Sequence, residues 1–193
     1  MTRTSPIETA DPLWVFGYGS LLWNPGFAPA EAVVARLDGY HRSFCMLSIH
    51  HRGTEEDPGL VLALDALDGA TCTGMAFRVA AADRDAVLAD LRERELISSA
   101  YLERVLPIGL ADGRVVQALA YIVDPAHRQY CRFPLEQQAQ MIAHATGGRG
   151  PNWEYLDNTA RRLHQIGIAD PDLDWLEGRV AALRSAAQGH EKA

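Results

Sequence analysis

The 193-residue sequence has three cysteines, Cys45, Cys72 and Cys131, widely spaced and in no CxxC pair. An odd count without framework spacing argues against a disulfide scaffold and for reduced thiols in a cytoplasmic protein. No apolar run approaches the length of a membrane span, so no membrane association is expected. Met1 to Asp11 lacks an apolar h-region and reads as a short disordered lead-in, which argues against secretion. No basic patch or arginine-rich run offsets a formal net charge of −7, so nucleic-acid binding is not expected either. His50 and His51 are adjacent and would point in opposite directions from an extended chain. No further ligand lies at zinc-type spacing, so no metal site is assigned. Internal repeats and low-complexity stretches are absent.

What is present is an ordinary globular composition, 48% hydrophobic and 22% charged, on a chain long enough to bury one sizeable core. Residues 12–187 read as a single domain, helical from about Pro134, followed by a disordered tail over 188–193. A local loop could still bind a carboxylate whatever the global charge.

The stretch Trp14-Val15-Phe16-Gly17-Tyr18-Gly19-Ser20-Leu21-Leu22-Trp23 opens as an apolar, aromatic run suited to a buried strand, then places two glycines around a tyrosine. Glycines there would allow positive φ and close approach of a ligand to the main chain. Successive outward N–H groups would favour a carboxylate or oxyanion. Leu22 occupies the position where a dinucleotide fingerprint needs its third glycine and where a nucleophile elbow needs its downstream one. A phosphate loop would need a lysine that is not there. On pattern alone, a core strand with a glycine turn and a ligand loop both remain open.

Asn24-Pro25-Gly26 ends that strand. Glu31 to Leu37 and Tyr40 to Ile49 read as two strands joined by an Asp38-Gly39 hairpin turn. The mixed faces of the second suit a barrel or strongly curved sheet. His50-His51-Arg52-Gly53 and the charged Thr54 to Pro58 read as a solvated loop, with Arg52 pairing to a carboxylate. Gly59 to Leu64 and Cys72 to Val79 read as a second hairpin around Asp68-Gly69. Tyr101 to Pro107 and Val115 to Val123 form a third around Asp112-Gly113. Tyr121 lies inside that last strand, where a buried tyrosine is commonly packing with a satisfied hydroxyl. Pro134 fits a helix N1 position, and that helix should stop at Gly147-Gly148. Further helices are expected from the Gly150-Pro151-Asn152 region to about Ile166 and from Asp172 to about Ala187.

Asp83 is a suitable N-cap for a helix over Asp83 to Ile97, with Val87, Leu88 and Leu91 as its apolar stripe. Four residues beyond Leu91 the stripe reaches Glu95, whereas Glu93 falls with Ala86 and Asp90 on the wet side. A carboxylate on a buried stripe is costly unless it is paired, protonated or lining a cavity. The spacing therefore singles out Glu95. The other reading is a frayed last turn that leaves this side chain in water.

Val15-Phe16-Gly17-Tyr18-Gly19-Ser20-Leu21 resembles the opening signature of the ChaC-type γ-glutamylcyclotransferases. The likeness continues in His51-Arg52-Gly53, in the Gly74 to Arg78 strand, in Leu91-Arg92-Glu93-Arg94-Glu95 and in Gly150-Pro151-Asn152-Trp153-Glu154-Tyr155-Leu156. It implies an α+β, γ-glutamylcyclotransferase-like fold, a small curved mixed sheet or barrel flanked by helices. It also implies cleavage of glutathione into 5-oxoproline and cysteinylglycine, with Glu95 as the catalytic acid–base residue. Residues Val15, Phe16, Gly17, Tyr18, Gly19, Ser20 and Leu21 would bind substrate, with Tyr121 as a further positioning candidate. Many members follow the glutamate with Lys-Gly-Gly-Tyr, whereas this chain has Leu96-Ile97-Ser98-Ser99-Ala100-Tyr101, closer to the bacterial branch. The departure bears on the pocket wall and on substrate preference.

A γ-glutamyl amide carries its own nucleophile, because its α-amine can close a five-membered lactam on the γ-carbonyl. Such a reaction asks an enzyme for geometry and proton transfer, and no cofactor is expected. The same loop and glutamate would serve other γ-glutamyl amines or amino acids. A non-catalytic regulatory domain binding glutamyl ligands would keep the loop but have no use for Glu95.

Overall fold

The structure, a computed structural model, describes residues 12–96 and 99–190. The expected lead-in, Ile97 and Ser98 of the expected pocket wall, and tail residues 191–193 lie outside the described residues. The chain divides into two compact units, Met1–Ser43 with Ala63–Arg128, and Phe44–Leu62 with Gln129–Ala193.

Strands β1 (Trp14–Gly17), β2 (Glu31–Ser48), β3 (Gly59–Arg78), β4 (Tyr101–Leu110) and β5 (Val115–Val123) close into a barrel in the order β1-β3-β2-β4-β5 and belong to the first unit except for residues 44–48 of β2 and 59–62 of β3. Strand β1 is held on both sides. It runs antiparallel to β3, with Trp14 opposite Arg78 and Gly17 opposite Met75, and parallel to β5, with Val15 opposite Leu119. A strand flanked on both edges reads as a continuous apolar run, and all four of its residues are buried. The β4–β5 hairpin turns at Gly113, whose φ of +91° suits glycine.

The other two expected hairpins are not formed. Glu31–Ser48 and Gly59–Arg78 are each one long strand, and the chain passes through Gly39 (φ +81°) and Gly69 (φ +78°) without reversing. Asp-Gly supplies a positive φ that serves a hairpin turn or a kink within a strand equally well. Pairing with neighbouring strands decides between them.

Helix α1 (Arg84–Glu95) follows a 3₁₀ turn at Ala81–Asp83. Asp83 stands at the N-cap, but its side chain makes no capping bond, and the helix ends at Glu95, short of Ile97. Val87, Leu88 and Leu91 are buried as the spacing predicts. They pack in one cluster with Leu13, Val15, Leu21, Val79, Leu119 and Tyr121. At about 1.5 to 3 kcal/mol for each fully buried aliphatic side chain, this face holds α1 far more firmly than helix propensity could.

The second unit is mainly helical: α2 (Leu135–His144), α3 (Asn152–Gln165) and α4 (Pro171–His190), with a two-residue pairing of β6 (Thr146–Gly147) and β7 (Gly150–Pro151) before α3. Pro134 occupies the N-cap of α2 rather than its first helical position, and the helix stops at His144. Helix α4 continues to His190, past the point where a tail was expected to begin.

Asn152 is fully buried and binds Leu60 twice, accepting from its N–H and donating to its carbonyl, both at 2.7 Å. Arg52 is buried rather than solvated. It donates to the Pro151 carbonyl at 3.1 Å, lies 4.0 Å from Glu154 and stacks over the Tyr155 ring. A methyl on Gly53, Gly59 or Gly147 would meet backbone atoms at 2.1 to 2.5 Å, so main chain packs on main chain here. The five-stranded barrel and the helices among the described residues make this an α+β fold.

Candidate active site

Strand β1 ends at Gly17, and the chain turns through Tyr18 and Gly19 into a 3₁₀ turn at Ser20–Leu22. Leu22 N–H bonds to the Gly19 carbonyl at 2.9 Å, so the N–H groups of Ser20 and Leu21 have no acceptor within the turn. Such amides suit an anionic group.

The reason for glycine here differs from the expected one. Neither Gly17 nor Gly19 has a positive φ. A Cβ on Gly17 would lie 2.7 Å from Cε2 of the Phe77 ring and 3.2 Å from Leu21 Cβ. One on Gly74, across the β1–β3 pairing, would lie 2.4 Å from the Gly17 carbonyl oxygen. The glycines allow β1, β3 and the Phe77 ring to close on one another beneath the loop.

Two side chains hold the loop from behind. The Tyr18 hydroxyl donates to the Tyr121 carbonyl at 2.8 Å. Buried Arg42 donates from one nitrogen to the carbonyls of Tyr18 at 2.9 Å and Thr73 at 3.1 Å. Val15 and Phe16 are fully buried in the barrel wall. Of the seven residues singled out in the sequence, Val15 and Phe16 are therefore core, Tyr18 is an anchor, and Gly19 to Leu21 form the turn in which the Ser20 and Leu21 amides have no acceptor.

Glu95, the last residue of α1, is not left in water. Its side chain is 16% exposed, and its Oε1 lies 3.1 Å from Arg94 Nε. A carboxylate in the last turn of a helix faces the negative end of the macrodipole, which Arg92 and Arg94 in the same turn offset. Arg94 does more than neutralise. Its Nη2 donates to Ser20 Oγ at 2.7 Å and its Nη1 to the Asn24 carbonyl at 2.7 Å. One planar guanidinium thus ties the glycine loop to the carboxylate.

Tyr121 packs into the α1-facing cluster beside Leu21 and Leu91, and its hydroxyl donates to Glu103 Oε2 at 3.2 Å. Burial raises its pKa well above the usual phenol range, and the charge of Glu103, the bond to it and the charge of Glu95 add to the rise. Glu103 is in turn gripped by Arg92, which donates from Nε at 3.0 Å and from Nη2 at 2.8 Å.

Arg42, Arg92, Arg94 and Glu103 were not singled out from the sequence. Arg94 stands inside the Leu-x-x-Arg-Glu motif, but its spacing next to Glu95 gives no reason to aim it at Ser20. Arg42 was read only as one residue of a mixed strand face.

Comparison with known proteins gives the family. The family model described as ChaC-like protein matches residues 13–183. The chain is 38% identical over 164 residues to the glutathione-specific gamma-glutamylcyclotransferase of Escherichia coli (strain K12), covering 84% of this chain and 70% of that one. It is 33% identical over 183 residues to gamma-glutamylcyclotransferase 2-3 of Arabidopsis thaliana, covering 91% and 92%. It is 35% identical over 168 residues to the human glutathione-specific gamma-glutamylcyclotransferase 1, covering 84% and 75%. Among solved structures, a gamma-glutamyl cyclotransferase specific to glutathione from yeast superposes with a TM-score of 0.80, covering 90% of this chain and all (100%) of that one at 23% identity, a likeness of fold. With its sequence matched from the first barrel strand into the last helix, the chain belongs to the ChaC-like protein family.

Proposed function

We propose that this protein is a γ-glutamylcyclotransferase that cleaves glutathione into 5-oxoproline and cysteinylglycine. The observation that supports the reading is the Arg94 guanidinium, which contacts Ser20 of the glycine loop and the shielded carboxylate of Glu95. The relatives' names supply the substrate, and the geometry supplies a way to act on it.

In this reading the glutamyl carboxylate sits on the amides of Gly19, Ser20 and Leu21, and the α-amine lies toward Glu95. Glu95 takes a proton as the amine nitrogen attacks the γ-carbonyl carbon. It returns a proton to the cysteinyl nitrogen as the amide C–N bond breaks. One C–N bond forms and one is lost, the proton passes between the two nitrogens, and no water is consumed. The attack is already intramolecular in the substrate, so what the site adds is a fixed conformer with amine and carbonyl near contact. Proton transfer at a placed base adds on the order of 10²- to 10⁴-fold. The substrate is a small molecule, and three buried cysteines outside any disulfide suit a reducing, cytoplasmic setting. No helix among the described residues is long and apolar enough to cross a membrane.

The test is incubation of the purified chain with glutathione and, separately, with a γ-glutamyl dipeptide, with 5-oxoproline and cysteinylglycine quantified. Glutathione should be consumed with the two products in equal amounts, and Glu95→Gln should lower turnover by at least about a hundredfold. Undiminished turnover in Glu95→Gln would remove Glu95 from the mechanism, and release of glutamate in place of 5-oxoproline would remove the lactam route.

A further inference from the structure

The Arg92–Glu103–Tyr121 chain has no part in the proton transfer just described, yet it ends in the same cluster as the loop and α1. Tyr121 shares its buried cluster with Leu21, next in sequence to the Arg94-held Ser20, and with Leu91, one helical turn before Glu95. The Tyr121 hydroxyl has one proton, and that proton is committed to Glu103 Oε2 at 3.2 Å. A phenol in this state presents only lone pairs to any further partner, so it accepts hydrogen bonds and cannot donate to a carbonyl or carboxylate. Glu103 is mostly shielded, 14% exposed, and would be costly there without a countercharge. Arg92 provides it through two nitrogens.

We propose that Glu103, held by Arg92, is a positioning residue that fixes the Tyr121 hydroxyl as an acceptor for a substrate ammonium group. The inference rests on the γ-glutamyl reading above and deepens it. The site then has a donor end, the amides of Gly19 to Leu21, and an acceptor end made of Glu95 and the Glu103-oriented phenol. That polarity matches the α-carboxylate and α-ammonium of a free amino-acid head, and it disfavours γ-acyl compounds whose α-nitrogen is blocked. The elevated pKa of Tyr121 agrees, since the hydroxyl stays protonated and keeps donating to Glu103 throughout the working pH range.

The product 5-oxoproline provides the control, because its nitrogen is a lactam and carries no ammonium. Steady-state kinetics with glutathione and inhibition by added 5-oxoproline would be measured for the wild-type chain, Glu103→Gln and Tyr121→Phe. The phenylalanine variant keeps the ring packing, so one variant remains readable should the other fail to fold. The expected result is a KM for glutathione raised about tenfold in Tyr121→Phe and about three- to fivefold in Glu103→Gln. In both, kcat should stay within about threefold and the 5-oxoproline inhibition constant within about twofold. An unchanged KM in both variants overturns the proposal. So does a parallel weakening of glutathione and 5-oxoproline, which marks a structural role, or a fall in kcat at constant KM, which marks a role in chemistry. Wild-type chain that forms no 5-oxoproline overturns the γ-glutamyl reading itself, an outcome distinct from active enzyme with unselective variants.

Discussion

Arg94 Nη2 donates to Ser20 Oγ at 2.7 Å across 74 positions of sequence, and the same guanidinium stands against the carboxylate of its neighbour Glu95. The loop and the acid are thus set by one planar group. The bridge acts in addition to the Tyr18 and Arg42 bonds that hold the loop and the packing that holds α1.

Removing that group should uncouple the two halves of the site. Arg94→Met is expected to lower kcat/KM by about 10- to 100-fold, because misplacement of about an ångström is costly to intramolecular attack. Arg94→Lys should recover little, since one ammonium cannot reproduce the planar fork that reaches both Ser20 and Asn24 beside Glu95. Melting temperatures should move by only a few degrees, as these contacts lie at the edge of the core. Activity equal to wild type in Arg94→Met would show that the bridge is incidental.

Gly17 is set against an aromatic ring, and the clash can be tested by its relief. Gly17→Ala places a methyl 2.7 Å from Phe77 and should cost about 1 to 3 kcal/mol in urea unfolding, with loss of turnover. Adding Phe77→Leu should return part of that stability. If the double variant is merely the sum of the two losses, the ring is not what requires glycine at this position.

Asn152 satisfies both backbone groups of Leu60 in a fully buried place. Asn152→Ala leaves an N–H and a carbonyl without these partners, and a destabilisation of about 2 to 4 kcal/mol is expected. Asn152→Asp keeps the acceptor but sets a carboxylate against the Leu60 carbonyl, so it should rescue little. Denaturant midpoints for the two variants decide the matter.

Burial pushes the Cys131 thiol up to about 12, with a small contribution from neighbouring Cys45. The folded state therefore binds a proton that the unfolded chain releases near pH 9. The resulting stability is fully present below that value and is lost as pH rises toward 12. At pH 8 the folded chain should react slowly with a thiol-alkylating reagent, and all three buried cysteines should react once the chain is unfolded. Rapid labelling of Cys131 in folded protein, read by peptide mass analysis, would contradict this placement.

Parts of the fold were legible residue by residue. The Trp14–Gly17 run is a strand buried along its length, and the stripe of Val87, Leu88 and Leu91 is buried as its spacing required. The Asp112-Gly113 turn closes a hairpin. The same dipeptide at Asp38-Gly39 and Asp68-Gly69 does not, because a local φ preference says nothing about which strand pairs alongside. Pro134 lies one position earlier than expected, and Asp83 has the right residue type for a capping bond it does not make.

The site divides along the same line. Spacing and solvation cost singled out Glu95, since a carboxylate continuing an apolar stripe is anomalous, whereas composition left the glycine loop open between a core turn and a ligand loop and only the family resemblance favoured the second. These are properties of a residue and its near neighbours along the chain. That Arg94 reaches Ser20, that Glu103 turns the Tyr121 hydroxyl, and that Phe77 rather than backbone handedness demands Gly17 depend on residues brought together by barrel closure. Such pairings are set by the free energy of the whole packed arrangement, in which no local preference along the chain names its partner.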